Sequence, residues 1–256
     1  MFKGSEEPPS YSRHAPPHHS SGALRVCCIT LNETDKIRLI GTPPELANPI
    51  RQAIVRAWGR IQKESDYAGA HQFKLLGNPW SARGNEGVLS RRLVVDILKT
   101  MAQHGWTLIQ SADVSRKEYE KDSLFFESSA LQPVDVGPID MFAISLNRTD
   151  RIRLIDAPSE FRDIVRQAIK TQWKLGSFEF KLSGNPFCPQ GEETVHSRMM
   201  LSQMLAAMAA HGYRLYASVD ISNGDAEGRD LHSWFFRRVT RTWPSRAIAD
   251  PGLSVI

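Results

Sequence analysis

The chain has 256 residues, of which 41% are hydrophobic and 23% are charged, with a formal charge of +4 and three cysteines. This composition is close to the average of globular domains, and three cysteines argue against a disulfide-rich scaffold. The length suits two domains of ordinary size. No run of about 18 apolar residues occurs, so we predict no transmembrane segment.

The first 24 residues are rich in proline, serine and histidine and contain no apolar stretch typical of a secretory signal. Such a composition cannot bury enough apolar surface to form a core, so residues 1–24 are predicted to be a disordered tail. The cysteines are odd in number and two of them are adjacent, which argues against a disulfide framework. We therefore expect a cytoplasmic protein, with the nucleus as the alternative.

An internal repeat is the most informative feature of the sequence. Residues 29–58 match residues 144–173 at 16 of 30 positions, and residues 73–113 match residues 180–220 at 19 of 41 positions. Shared periodicity alone does not produce this identity, so the chain contains two copies of one unit. The predicted boundaries are repeat domain 1 at 25–128, a linker at 129–138, repeat domain 2 at 139–239, and a basic C-terminal tail at 240–256.

Each copy begins with two short segments of β-branched and aliphatic residues, 28–31 and 37–40 in the first copy. Turn-forming residues separate them, which predicts a hairpin; a single bulged strand is the alternative. Pro43 and Pro44 then open a helix, because proline is tolerated in the first turn. The stripe predicted to face the core consists of Leu46, Ile50, Ile54 and Ile61.

A strand over 72–76 and a second helix over 87–104 follow. Gly105 and Gly212 stand where a glycine ends a helix in the left-handed conformation. Two further strands complete a ββαβαββ unit, which predicts an α+β fold with two helices packed on a mixed sheet, present twice. The apolar face of the second helix is Val94, Ile97, Leu98 and Met101, repeated by Leu201, Met204, Leu205 and Met208.

The two copies differ in length between the first helix and the next strand. Their offset falls from 115 before this segment to 107 after it, so the first copy has 115 − 107 = 8 extra residues within 62–72. Loops absorb insertions at small cost, which predicts that this segment is a loop.

Arg51 and Trp58, repeated as Arg166 and Trp173, are the first candidate binding residues. They are seven positions apart, about two helical turns, so each pair lies along one side of its helix. Arginine and tryptophan are enriched at binding hot spots, so we hypothesise that each pair forms a contact edge for a partner. The alternative is structural: an arginine stem packed over a half-buried tryptophan, or paired with Glu45.

Basic residues that occur in both copies form the second candidate set. Arg38 and Lys74 alternate with apolar neighbours, so they point away from the core. If they share a sheet face with Arg91, the three could hold a phosphate or a carboxylate. The alternative is a solvated face with cross-strand pairs to Asp35 or Asp113. The equivalent residues of the second copy are Arg153, Lys181 and Arg198.

No nucleotide-binding, hydrolase, metalloprotease or redox motif occurs, so we predict neither a cofactor nor a metal site. We expect a non-catalytic tandem-repeat interaction protein whose partner is a protein or a peptide, because duplicated modules gain avidity. One alternative is nucleic-acid or phosphate-ligand binding through the shared basic residues and the arginine-rich tail. A second alternative is an enzyme with its site in the cleft between the copies.

Overall fold

The computed structural model describes most of both copies, and the residues described are 24–114, 120–128, 138–147, 150–170, 180–221, 232–240 and 243. The predicted tail at 1–24 lies outside this part except for its last residue, as does most of the linker. The helices and strands are β1 (Arg25–Asn32), β2 (Lys36–Ile40), α1 (Ala47–Ala57), β3 (Ile61–Tyr67), β4 (Ala70–Leu75), α2 (Gly84–Gln103), β5 (Thr107–Ala112), β6 (Glu120–Ser128), β7 (Met141–Asn147), β8 (Arg151–Ile155), α3 (Phe161–Lys170), β9 (Phe180–Lys181), α4 (Glu193–Ala210), β10 (Tyr213–Val219) and β11 (Ser233–Arg238).

Each copy forms one sheet with two helices on one of its faces. The first sheet has the strand order β3-β4-β2-β1-β6-β5, and the second has the order β10-β11-β7-β8-β9. Read from β9 to β10, the second order corresponds to β4-β2-β1-β6-β5 of the first sheet, and β3 has no counterpart among the described strands. The two-copy α+β architecture predicted from the sequence is therefore confirmed, and β1 and β2 form the predicted hairpin.

The observed strand pairs are antiparallel, whereas the sequence predicted a mixed sheet. In the first copy the reason is β3, which occupies the segment predicted as a loop. It takes the chain back along the sheet after α1, so that β4 runs antiparallel to β2. A tight turn at Ala68 and Gly69, both with positive φ, joins β3 to β4.

The prediction that Ile61 belongs to the first helical stripe was wrong. Helix α1 ends at Ala57, and Gly59 has a φ of 121° that a helix cannot continue. Ile61 instead begins β3 and is only half-buried. This edge strand is largely exposed and polar, so its sequence lacks the alternation that identifies a strand with one buried face.

The second helices end as predicted, since Gly105 and Gly212 have φ values of 76° and 79°. Leu98 is fully buried, but its counterpart Leu205 is only partly buried. The apolar face predicted for α4 was therefore only partly correct. Leu98 belongs to a core that α2 shares with the second sheet, whereas no described sheet lies against that side of α4.

The two copies pack into four layers in the order first sheet, α1 and α2, second sheet, α3 and α4. One face of the second sheet, which includes Phe142, Ile144 and Phe236, packs on α3 and α4. Its other face, which includes Ala143 and Phe235, joins the core around α2. The second sheet is thus covered on both faces by described residues. Among the described helices, none has an apolar stretch of the length that a membrane span requires.

Candidate interaction surface

Helix α2 contacts the second sheet through one face, which we call the α2 docking face. The Arg91 side chain is 3% exposed, and its Nε donates to Ser233 Oγ at 3.1 Å. The guanidinium of Arg92 donates to both carboxylate oxygens of Asp156 at 2.7 and 2.8 Å, a geometry that sets orientation as well as attraction. The face consists of Val88, Arg91, Arg92, Val95 and Lys99, at the three- and four-residue spacing of one helix side.

Helix α4 has an equivalent face. Each residue of α2 corresponds to the residue 107 positions later, as Phe73 does to Phe180 (180 − 73). The counterparts of the α2 docking face line an open groove of about 700 Å³ on α4, which we call the α4 groove. Within it Val195 is 60% exposed and Met199 is 43% exposed. The groove residues are Thr194, Val195, Arg198, Met199, Ser202, Gln203 and Ala206.

The outer face of the first sheet is the counterpart of the second-sheet face that receives α2. Val26 is 53% exposed, whereas its counterpart Met141 is 4% exposed. Ile40 is exposed, and Cys28 and Phe125 are half-buried. Their counterparts in the second sheet, Ile155, Ala143 and Phe235, are all buried. We call Val26, Cys28, Ile40 and Phe125 the first-sheet patch. It is neutral, because burial raises the pKa of the Cys28 thiol to about 11.

The first predicted edge, Arg51 with Trp58, is engaged in contacts within the first copy. Arg51 donates to both oxygens of Glu64 at 2.6 and 2.7 Å, and this lowers the pKa of the Glu64 carboxyl. His71 Nε2 lies 3.0 Å from the same carboxylate. The Trp58 indole N–H donates to Leu76 O at 2.8 Å and packs on the core. Sequence analysis missed Glu64 because β3 was predicted as a loop.

In the second copy, Arg166 forms an ion pair with Asp163, three residues earlier on α3. Trp173 lies outside the described residues. A shared partner-binding role for the two predicted edges stays a prediction. The described contacts of Arg51, Trp58 and Arg166 are those of a structural network within each copy.

Arg38, Lys74 and Arg91 do not share a face. Arg38 lies on the outer face of the first sheet, donates to Gln72 Oε1 at 2.8 Å, and stacks on the Tyr67 ring at 4.0 Å. Lys74 lies 3.8 Å from the Asp35 carboxylate, as the structural alternative predicted. Arg91 is buried on the opposite side of the sheet, between the two copies. The predicted three-residue anion site is therefore not formed.

The remaining basic candidates are dispersed. Arg153 is half-buried on β8, Lys181 is exposed on the short strand β9, and Arg198 lies exposed in the α4 groove. Of the arginines near the C-terminus, Arg237 in β11 is buried and stacks on the rings of Tyr216 and Trp243. Sequence analysis identified Arg198, but as a candidate anion ligand rather than as part of a groove.

A second concavity lies where the two copies meet, as the enzyme alternative requires. It has a volume of about 320 Å³, and its lining includes Lys99, Asp140, Glu160, His211, Tyr213 and Arg238. Several of these groups contact other protein groups. Arg238 lies 3.6 Å from the Asp140 carboxylate, and His211 Nδ1 lies 2.8 Å from Ala207 O. Among the described residues, no three or more His, Cys, Asp or Glu side chains are placed to hold a metal ion.

A buried carboxyl group, Asp122, also lies at the junction between the copies. It is 1% exposed, and its Oδ2 accepts a hydrogen bond from the Asp220 N–H at 2.9 Å. His232 Nδ1 is 4.0 Å from the same oxygen. The other oxygen, Oδ1, has no hydrogen-bond partner among the described residues. Burial therefore raises the pKa of Asp122 above its ordinary value.

Replacing Asp122 with Asn should stabilise the fold at pH 7 by about 1 kcal/mol, because it removes a poorly solvated charge. The raised pKa means that the wild type loses stability as pH rises from the ordinary value, about 3.9, through the raised one. The gain should therefore shrink as the pH falls from 7 to 4. Urea unfolding at both pH values measures it, with Glu45→Gln, at an exposed carboxylate, as the control. A gain that did not change with pH would contradict this account of Asp122.

Comparison with known protein families gives one result. A sequence model of an uncharacterised domain family matches this chain twice, at residues 25–127 and 140–237. The two matches cover most of both copies and agree with the two sheets of the structure. No curated protein and no solved structure matches the chain significantly.

Proposed function

The chain belongs to this uncharacterised domain family and carries its domain twice, and on that premise we propose that it is a non-catalytic protein that binds a protein partner through the α4 groove. One observation supports the proposal. The helix face that is buried against a β-sheet in the first copy is exposed on α4, where Val195 and Met199 face outward. Apolar side chains grouped in this way are typical of protein interaction sites.

The chemistry of the groove favours a protein partner over a phosphate ligand. Val195, Met199 and Ala206 contribute aliphatic surface, and Arg198 adds a single cation. Binding to a nucleic acid depends on several cations that neutralise phosphates. Arg38 and Lys74 contact Gln72 and Asp35 on a different surface. We therefore expect the partner to present a mainly apolar face with a hydrogen-bond acceptor that Arg198 can reach.

Photo-crosslinking from the groove tests this proposal. Met199 is replaced in the full chain by p-benzoylphenylalanine, which forms covalent bonds with C–H groups it contacts under near-ultraviolet light. Val55, exposed on α1 at 52%, is the matched control position. We expect position 199 to crosslink to a protein in extracts of the source cells, and mass spectrometry to identify that protein. Equal labelling from both positions, or no protein adduct from position 199, would contradict the proposal.

A further inference from the structure

We propose that the partner is a second copy of this chain, bound head to tail. In this arrangement the α4 groove of one molecule receives the first-sheet patch of the next. The inference rests on the proposed function, because it names the occupant of the same groove. It follows from a contact that the molecule already forms once internally, between α2 and the second sheet.

The internal junction is the template for the contact between molecules. There, one helix face covers Met141, Ala143, Ile155 and Phe235 of the second sheet, all of which are almost completely buried. The repeat makes the α4 groove the equivalent of that helix face and the first-sheet patch the equivalent of that sheet face. Each molecule therefore presents both halves of this junction, with Val195 and Met199 exposed on the helix half and Val26 and Ile40 exposed on the sheet half. The two halves lie in the two outermost layers of the fold.

The residues that form the polar contact of the internal junction have equivalents on the α4 groove and on the first sheet. Arg91 donates to Ser233, which is paired in register with Ser145. The equivalents are Arg198 on α4, and Ser123 paired in register with Thr30 on the first sheet. The arginine is thus present on the α4 side of the proposed contact, and two hydroxyl groups are present on the sheet side, where Ser123 is 6% exposed and Thr30 is half-buried. Such a charge-assisted hydrogen bond would set the register of the helix on the sheet.

The charged contact has changed on both sides at once. The Arg92–Asp156 ion pair of the internal junction corresponds to Met199 on α4 and Gly41 on the first sheet. Loss of only one partner would have left an unpaired charge facing an apolar surface, which is unfavourable. Replacement of both leaves an apolar side chain opposite a glycine. The two exposed faces are therefore matched to each other.

Such a contact is heterologous, because it joins two different surfaces. Each molecule keeps one free face of each kind, so the assembly can extend or close into a ring. The internal junction benefits from the high effective concentration of two covalently linked copies, which separate molecules lack. We therefore expect concentration-dependent self-association that is weaker than the internal packing.

Sedimentation velocity of the full chain with two single variants tests the proposal. Met199→Glu places a charge in the α4 groove, and Ile40→Glu places one in the first-sheet patch. Both positions are 43% exposed, so both variants should keep the wild-type melting temperature. Each change should weaken self-association at least 10-fold. In an equimolar mixture, the intact α4 groove of the Ile40→Glu variant can bind the intact first-sheet patch of the Met199→Glu variant. The other two surfaces are blocked, so the mixture should form a dimer and nothing larger.

Several results would overturn the head-to-tail contact. A wild-type chain that stays monomeric up to about 1 mM, beyond the range of weak specific interfaces, would do so. Variants that still associate alone, or a mixture that does not, would indicate a different interface. Association that appears only after residues 1–23 are removed would indicate that this segment occupies the patch. If position 199 nevertheless crosslinks to a different protein, the proposed function stands and only this inference fails.

Discussion

Replacement of Phe235 with Ala is expected to lower the free energy of unfolding by about 3–5 kcal/mol, the usual loss for a buried phenylalanine. The ring is fully buried in the core that α2 shares with the second sheet. Its counterpart Phe125 pairs in register with Cys28, as Phe235 pairs with Ala143, but it is only half-buried. Phe125→Ala should therefore cost distinctly less, although the residue type and strand position are the same.

Urea unfolding of the two variants measures this difference. It must be followed at low protein concentration, because self-association would cover Phe125 and raise its contribution. Equal losses for the two variants would show that some part of the chain covers the first-sheet patch within the monomer. A negligible loss for Phe235→Ala would contradict the packing of α2 on the second sheet.

Replacement of Arg91 with Ala is expected to lower the free energy of unfolding by about 2–4 kcal/mol, since the change leaves buried polar groups without their donor. The guanidinium donates to Ser233 Oγ, Ser90 Oγ and Gly87 O at 3.1 to 3.2 Å. Arg198 is the same residue at the same place in the second copy, but it is exposed. Arg198→Ala should alter the stability of the monomer by no more than about 0.5 kcal/mol.

Thermal and chemical unfolding of both arginine variants decide this point. A large loss for Arg198→Ala would mean that its side chain is covered in the folded monomer. Arg198→Ala should instead weaken self-association in sedimentation. Together these results would separate the structural role of Arg91 from the interaction role proposed for Arg198.

Several parts of the fold could be predicted from local sequence. The hairpin of β1 and β2 is encoded by two aliphatic segments around a turn, and the ends of α2 and α4 by Gly105 and Gly212. The strand β3 could not be predicted in the same way. It is a polar edge strand whose place depends on pairing with β4, and sequence periodicity detects a buried face rather than a hydrogen-bonded neighbour.

The candidate site was predictable only in part. The sequence identified Arg91 and Arg198 as equivalent residues but grouped them with Arg38 and Lys74 as anion ligands. That grouping assumed a shared sheet face, which required knowing where α2 lies relative to both sheets. The alignment also relates Met199 to Arg92, but it does not indicate that one is exposed and the other is in contact with the second sheet.

The duplication, the order of most elements within each copy and the turns between them follow from local sequence, because turn chemistry and side-chain periodicity act over a few residues. Which apolar faces are covered depends instead on how the elements pack in three dimensions. Helices α2 and α4 have closely related sequences, yet α2 lies between two sheets and α4 packs on one. Burial depends on what other parts of the chain bring against a surface, so two related helices in one molecule can differ in exposure and therefore in function.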